Sequence, residues 1–361
     1  VEHPPALIVS PPVLSSSSVI ATICPMELLD SSDESLIVAG QAIAAGKLVV
    51  IPTETVYGLG ADAFNPEVVA RVFEAKRRPS FDPLIVHIAT LDQIDRLVSE
   101  FSPKASLLAE KLWPGPLTLV LPKRPEVPGI ITSGLDTVAV RFPSHVLARR
   151  IIEYSGTVVA APSANPFGYV SPTTAAHVVR SLGDRVDFIV DGGPCDVGVE
   201  SSVLDMTGPT PCLLRPGGMP LERIQELIGD VLLSVSQEGR PLSPGQLPSH
   251  YAPHAKLYLM ERKTLRSVLG TIPNPSAAAL ILFDAEARDQ MQGIESFGRV
   301  AVLSDKGDMR QAASRLFALL NELDVEGLQT IYAERVPDKG LGRAINDRLG
   351  RASFKTKQNL D

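Results

Sequence analysis

Residues 48–88, LVVIPTETVYGLGADAFNPEVVARVFEAKRRPSFDPLIVHI, constrain this chain most. Two strand-length apolar runs, 48–51 and 84–88, bracket a helical pattern with Val69, Val72 and Phe73 on one side. Between the runs stand a Pro-Thr-Glu-Thr turn, an aromatic-glycine segment (Tyr57, Gly58, Gly60) and the basic cluster Lys76-Arg77-Arg78-Pro79. Hydroxyls, a carboxylate, glycines and cations gathered between two buried strands are the makings of a small-molecule anion site.

The rest of the chain predicts a mixture of strands and helices without strict βαβ alternation, hence α+β or a mixed-sheet α/β fold rather than a doubly wound parallel one. Residues 26–46 read as a helix capped by Asp33 or Ser35, and 91–98, 103–112, 148–154 and 221–228 as further helices. Strands are expected at 117–121, 137–141, 158–160 and 188–191, and in ESSVLDMT and CLLRPGG, with Thr173 or Thr174 near a helix N-cap. Residues 231–253, with SPGQLPSHYAP at their end, read as a linker. Beyond it, strand-like runs at 256–260, 278–283, 300–303 and 330–332 alternate with helices at 263–269, 308–323 and 341–351, the pattern of a small parallel α/β domain. The 361 residues thus divide into a leader (1–25), an N-terminal domain (26–230), a linker (231–253) and a C-terminal domain (254–361).

Composition removes several function classes. A net charge of −7 and an aromatic content of 5% argue against broad nucleic-acid binding, leaving room for a local basic pocket. Three cysteines are too few and too scattered for a disulfide framework or a Cys-rich zinc site and suggest a reducing cytosol. No apolar run approaches the roughly 18 residues of a membrane span, and the N-terminal stretch lacks the basic start of a secretory signal. There is no Walker A loop, Gly58-Leu-Gly60 lacks a parallel βαβ context, and Pro253 interrupts His250 and His254, so no metal site is expected. No nucleophile–base signature indicates covalent catalysis. Arg141, at the end of a short strand, and Arg215, before Pro-Gly-Gly, are placed to fork onto a carboxylate or phosphate. Ser163 and Asn165 share one side if their segment is extended. His87, inside an apolar run, has the setting of a core histidine.

Taken together, PTETVYGLG, KRRP, PLIVHI, WPGPLTLVL, VAVRFPSH, APSANPFGYVSPTT, ESSVLD, LLRPGG and SPGQLPSHYAP resemble, in order, the threonylcarbamoyl-AMP synthase (YrdC-like) family in its long, two-domain form. The resemblance implies an N-terminal YrdC-like mixed twisted sheet with flanking helices, and a smaller parallel, Rossmann-like α/β domain after it. It implies a nucleotidyltransferase that joins L-threonine, bicarbonate and ATP, with magnesium, into threonylcarbamoyl-AMP and releases pyrophosphate. A tRNA threonylcarbamoyl transferase complex would receive the product; whether this chain touches tRNA directly is left open. By the same resemblance, Thr55, His87, Arg141, Ser163 and Ser201 match threonine-site positions. Lys76, Arg78, Thr137, Asn165, Thr173 and Arg215 match nucleotide-site positions, with Lys76 and Arg78 acting catalytically on the phosphates. Tyr251 matches a tyrosine that closes over the nucleotide, so the linker is expected to be a lid. One departure is Asp82, where the family commonly has Asn. Two other readings are an RNA-binding accessory protein using the same basic concavity, and a carbamoyltransferase of hydrogenase maturation; the latter calls for cysteine pairs this chain lacks.

Overall fold

The structure, a computed structural model, describes residues 26–234, 243–247 and 249–354. The expected leader (1–25) and linker residues 235–242 and 248 lie outside the described residues.

Eleven strands form one mixed sheet: β1 (Glu27–Leu29), β2 (Val49–Ile51), β3 (Gly58–Asp62), β4 (Ile85–His87), β5 (Leu117–Pro122), β6 (Thr137–Arg141), β7 (Val159–Ala160), β8 (Phe188–Val190), β9 (Ser202–Asp205), β10 (Cys212–Arg215) and β11 (Leu232–Leu233). Their order across the sheet is β1-β8-β2-β3-β7-β4-β6-β5-β9-β10-β11. Parallel pairs such as β4 with β6 and β5 with β9 alternate with antiparallel ones such as β5 with β6. Helices Asp33–Ala44 and Val146–Ser155 cover one face through Leu36, Ile43, Ile151 and Ile152. Four more, including Pro66–Lys76 and Leu221–Ile228, cover the other. Each helix buries an apolar stripe at helical spacing; Val68, Val69, Val72 and Phe73 are the stripe of Pro66–Lys76.

The second sheet is all parallel, β12 (Lys256–Met260), β13 (Ala278–Leu282), β14 (Arg299–Val302) and β15 (Thr330–Glu334) in the order β12-β15-β13-β14. β13 is buried at every position, as a strand covered on both faces requires. Helices Met309–Val325 and Gly342–Ala352 pack near it. Their apolar cluster also takes in Val56, Val170 and Val199 from the first sheet's loops, and Tyr251, so the two halves share buried contacts.

Two local expectations are corrected. Residues 27–29 are not helical: they pair with Phe188–Val190 as an edge strand. The helix begins at Asp33, where the Ser32 hydroxyl, rather than Asp33 or Ser35, caps it by accepting from the Ser35 amide at 3.3 Å. Residues 91–96 form a 3-10 turn instead of an α-helix. Long-range strand pairing overrode local propensity in the first case.

Candidate active site

The site lies where strand register brings distant polar residues to one face. His87 ends β4 directly opposite Arg141 at the end of β6, and Thr118 on β5 faces Arg141 from the other side. The Thr118 hydroxyl is 2.8 Å from that of Ser201, just before β9. Side chains of paired residues point the same way, so β4, β5 and β6 deliver an imidazole, a hydroxyl and a guanidinium to one floor, and Ser201 adds a second hydroxyl.

Arg141 makes two side-chain contacts there. Its Nη1 donates to the Thr55 hydroxyl at 2.8 Å, and its Nη2 lies 2.6 Å from the Glu54 carboxylate. Burial pushes the Glu54 carboxyl up, but the Arg141 charge and hydrogen bond more than reverse this and hold it below the usual range. His87 is pushed down to about 3, first by burial and then by the Arg141 charge. The imidazole is therefore neutral near pH 7, and its buried Nδ1 has no hydrogen-bond partner among the described residues. A neutral ring with an open nitrogen can meet a ligand hydroxyl or amine without adding charge.

The depressed histidine predicts an acid limit on stability. A folded-state pKa below the ordinary 6.5 contributes stability that is complete above pH 6.5 and lost as pH falls toward 3. His177, pushed down to about 4 by burial and then by Arg180, acts in the same window. Buried Asp82, whose pKa is raised chiefly by burial, acts oppositely. The urea midpoint is expected to fall between pH 6.5 and 4, worth a few kcal/mol in all, and His87→Gln should flatten that slope. An equal slope in the variant would remove His87 from this account.

The basic cluster is sorted by its turn. Arg77 caps helix Pro66–Lys76 in the left-handed conformation, with φ 52°, and the Arg78 amide donates back to the Phe73 carbonyl. Lys76 and Arg78 are thereby buried on the inner side, while Arg77 stays exposed. Lys76 Nζ donates to the carbonyls of Ser163 and Asn165. Burial, with Arg78 nearby, holds its pKa well below that of an ordinary lysine. Arg78 donates to the carbonyls of Asp82 and Pro83, and its Nη2 lies 2.9 Å from the Asp82 carboxylate. The departure at Asp82 thus takes the form of a buried ion pair that offsets one cation of the site.

Arg215 completes the wall. Its Nε and Nη2 donate to the Ser201 carbonyl, and Nη1 to the Pro244 carbonyl at 3.1 Å. The Gly217 backbone lies so close to residues 200–202 that a Cβ would come within 2.3 Å of Ser201, hence the glycines after Arg215. Gly245, at φ +80°, leaves room for the Tyr251 hydroxyl, which its Cβ would approach to 2.6 Å.

Of the expected site residues, Thr55, Arg78, His87, Arg141, Ser163, Ser201, Arg215 and Tyr251 line one cavity. Four stand behind it. Lys76 braces the 163–165 loop. Asn165 turns its amide onto the carbonyls of Pro166 and Tyr169, because the loop bends instead of staying extended. Thr173 is buried against His177, and Thr137 opens β6, four residues before its Arg141 end. Glu54, Glu200 and Arg348 belong to the site's electrostatics and were not among the expected site residues; of the three, Glu54 stands in the charge-bearing turn PTET that the sequence singled out. The cavity encloses about 40 Å³, and Pro244, Gly245, His250 and Tyr251 are also among its lining residues. A wider cleft of about 430 Å³ opens on the far side of Lys76 and Phe167, with Arg77, Arg180 and Arg185 on its wall.

Known proteins resemble this chain along most of its length. The family model described as Telomere recombination (Sua5, YciO, YrdC) matches residues 41–217, and the model for the threonylcarbamoyl-AMP synthase C-terminal domain matches residues 219–353. The chain is 41% identical over 326 residues to the threonylcarbamoyl-AMP synthase of Pyrococcus abyssi, covering 88% of this chain and 93% of that protein. It is 39% identical over 331 residues to the synthase of Bacillus subtilis, covering 90% and 94%. The crystal structure of P. abyssi Sua5 complexed with L-threonine superposes with a TM-score of 0.84 at 40% identity, over 91% of this chain and 97% of that one.

Proposed function

This chain belongs to the threonylcarbamoyl-AMP synthase family in its two-domain form, and from that premise we propose that it is a nucleotidyltransferase joining L-threonine, bicarbonate and ATP into threonylcarbamoyl-AMP with release of pyrophosphate. The product serves threonylcarbamoyladenosine formation on tRNA, passed on to a transferase complex. The observation that carries the reading is the floor of the cavity, where Arg141, Thr55 and the open His87 nitrogen form a compact set for a hydroxy-amino acid.

The threonine carboxylate is forked by Arg141, displacing part of the Glu54 contact, and the threonine hydroxyl meets His87 or Ser201. Polar groups left unpaired by valine are costly, which gives selectivity. The amine condenses with bicarbonate to a carbamate, the C–N bond forming as a C–O bond breaks and the departing hydroxide leaving as water with a proton from the amine. A carbamate oxygen then attacks the α-phosphorus, and the bond to pyrophosphate breaks. Arg78 and Arg215 stabilise the charge developing on the phosphate oxygens. No protein nucleophile is needed. Magnesium arrives with ATP as part of the substrate, held by its phosphates; among the described residues no group of three or more acidic, His or Cys side chains is placed to hold a metal. No described helix is long and apolar enough to cross a membrane; a cytoplasmic location is part of this proposal.

Residues 243–247 and 249–251 are the lid. Pro244, Gly245 and Tyr251 line the cavity between Arg78 and Arg215, and they withdraw to admit the nucleotide in each turnover. The test of the function is pyrophosphate release from MgATP and bicarbonate with L-threonine set against L-serine and L-valine. Threonine should be preferred to valine by about a hundredfold. Release indifferent to the amino acid would defeat the proposal.

A further inference from the structure

The left-handed turn at Arg77 sends consecutive arginines to opposite sides of one layer. Arg78 lines the catalytic cavity, and Arg77 lines the cleft of about 430 Å³ behind it. The Phe167 ring belongs to the layer between: it lines the cleft, yet it lies 5.8 Å from the Arg78 guanidinium and 5.6 Å from the His250 ring on the cavity side. Arg180, on helix Ala175–Leu182, and Arg185, in the turn that follows, reach the same cleft. Arg185 is held in place, Nη1 donating to the Ala75 carbonyl at 3.0 Å and Nη2 to the Ser181 carbonyl at 2.7 Å, with Asp184 3.4 Å from Nε. Arg77 and Arg180 are exposed, and among the described residues neither has an ion-pair partner. The cleft lining holds a single carboxylate, Asp324, and it is turned to His254, accepting from the amide at 2.6 Å and lying 2.7 Å from Nδ1.

Cations crowded into a concavity repel one another unless an anion joins them. The crowding is felt at Lys76, whose pKa is held down by burial first, then by the charge of Arg78, with Arg185 adding to it. His177, pushed down to about 4 by burial and then by Arg180, is neutral near pH 7, so the positive charge of this wall is that of its arginines. Such a wall stands out on a chain of net charge −7. The volume falls within the roughly 300–1,000 Å³ of small-molecule sites. A guanidinium forks onto two oxygens of one phosphate group, so the two free arginines of the cleft match a ligand of two linked phosphates. The proposed reaction releases one such ligand per turnover, on the other side of the Phe167 layer.

We propose that the cleft behind Lys76 and Phe167 is a second anion site, separate from the catalytic cavity, in which Arg77 and Arg180 hold the diphosphate group of released pyrophosphate. Arg185 adds its charge from a fixed position. The site draws the product away from Arg78 and Arg215, where it competes with the phosphates of the next ATP. Pyrophosphate as the source rests on the proposed function; the diphosphate site itself does not.

The experiment uses the full chain with the catalytic cavity filled by L-threonine and α,β-methylene-ATP, and measures binding of labelled pyrophosphate by equilibrium dialysis. Wild type should bind one further pyrophosphate per chain, with an affinity that falls as salt is raised. Arg77→Met and Arg180→Met should each weaken that binding about tenfold or more. Arg223→Met, at a surface arginine outside the cleft, should leave it unchanged. Threonine-dependent turnover should stay within about twofold in all three variants, since none of these residues lines the catalytic cavity. No further pyrophosphate on filled wild type, or equal affinity in the two cleft variants, overturns the site. ADP displacing the label more tightly than unlabelled pyrophosphate does overturns the product assignment and gives the cleft to the phosphate tail of a free nucleotide. If threonine and the ATP analogue do not bind at all, the proposed function is struck, and pyrophosphate binding to the free protein and its two cleft variants still judges the site.

Discussion

Arg141→Met is expected to lower threonine-dependent pyrophosphate release by about a thousandfold and to destabilise the fold by about 3–5 kcal/mol. The first effect follows from losing a bidentate contact to the substrate carboxylate and the alignment it provides. The second follows from Glu54, buried and paired with Arg141, which would be left as an uncompensated charge. The two effects are separable. In Glu54→Gln/Arg141→Met the orphaned charge is gone, so most of the stability should return in a urea titration. Activity should not return, because no cation remains for the carboxylate. If stability and activity return together, Arg141 is a structural residue and the threonine assignment fails.

Lys76→Met is the second large expectation. A lysine beside an arginine invites a phosphate contact, yet its ammonium is spent on the carbonyls of Ser163 and Asn165. With the amine removed, two buried carbonyls lose their donor, at about 1–3 kcal/mol each. The loop carrying Ser163 into the cavity then loosens, and kcat should fall about a hundredfold or more. Titration of L-threonine without ATP distinguishes the routes. Lys76 as a loop brace predicts weaker threonine binding, by about tenfold, because Ser163 lines the threonine floor. Unchanged threonine affinity, with the whole loss in KM for ATP, would return Lys76 to a direct phosphate role.

Much of the fold was legible because its elements are locally coded. The strand Thr137–Arg141, the helix Leu221–Ile228 and the strand Lys256–Met260 lie where apolar periodicity and Gly-Pro punctuation put them. Edge strand Glu27–Leu29 was not legible, since its only reason to be extended is a partner at Phe188–Val190. The cluster KRRP announced a site but not its division of labour. That came from the left-handed turn at Arg77, which a non-glycine residue adopts only when its surroundings hold it there.

The sequence by itself determined the chemistry that could be assembled: the arginines, hydroxyls and histidine of the motifs, their order, and the two-domain family they belong to. Tertiary structure alone decided which of those groups meet. Arg141 reaches Thr55 across 86 residues and Arg348 reaches Glu200 across 148. Tyr251 is held by a helix from the other domain. A hydrophobic period or a cap acts over a few residues and leaves its trace in the string. A buried ion pair has no such trace, because its partners need only converge in space, and the energy that fixes the pairing is the cost of leaving either charge alone in the core.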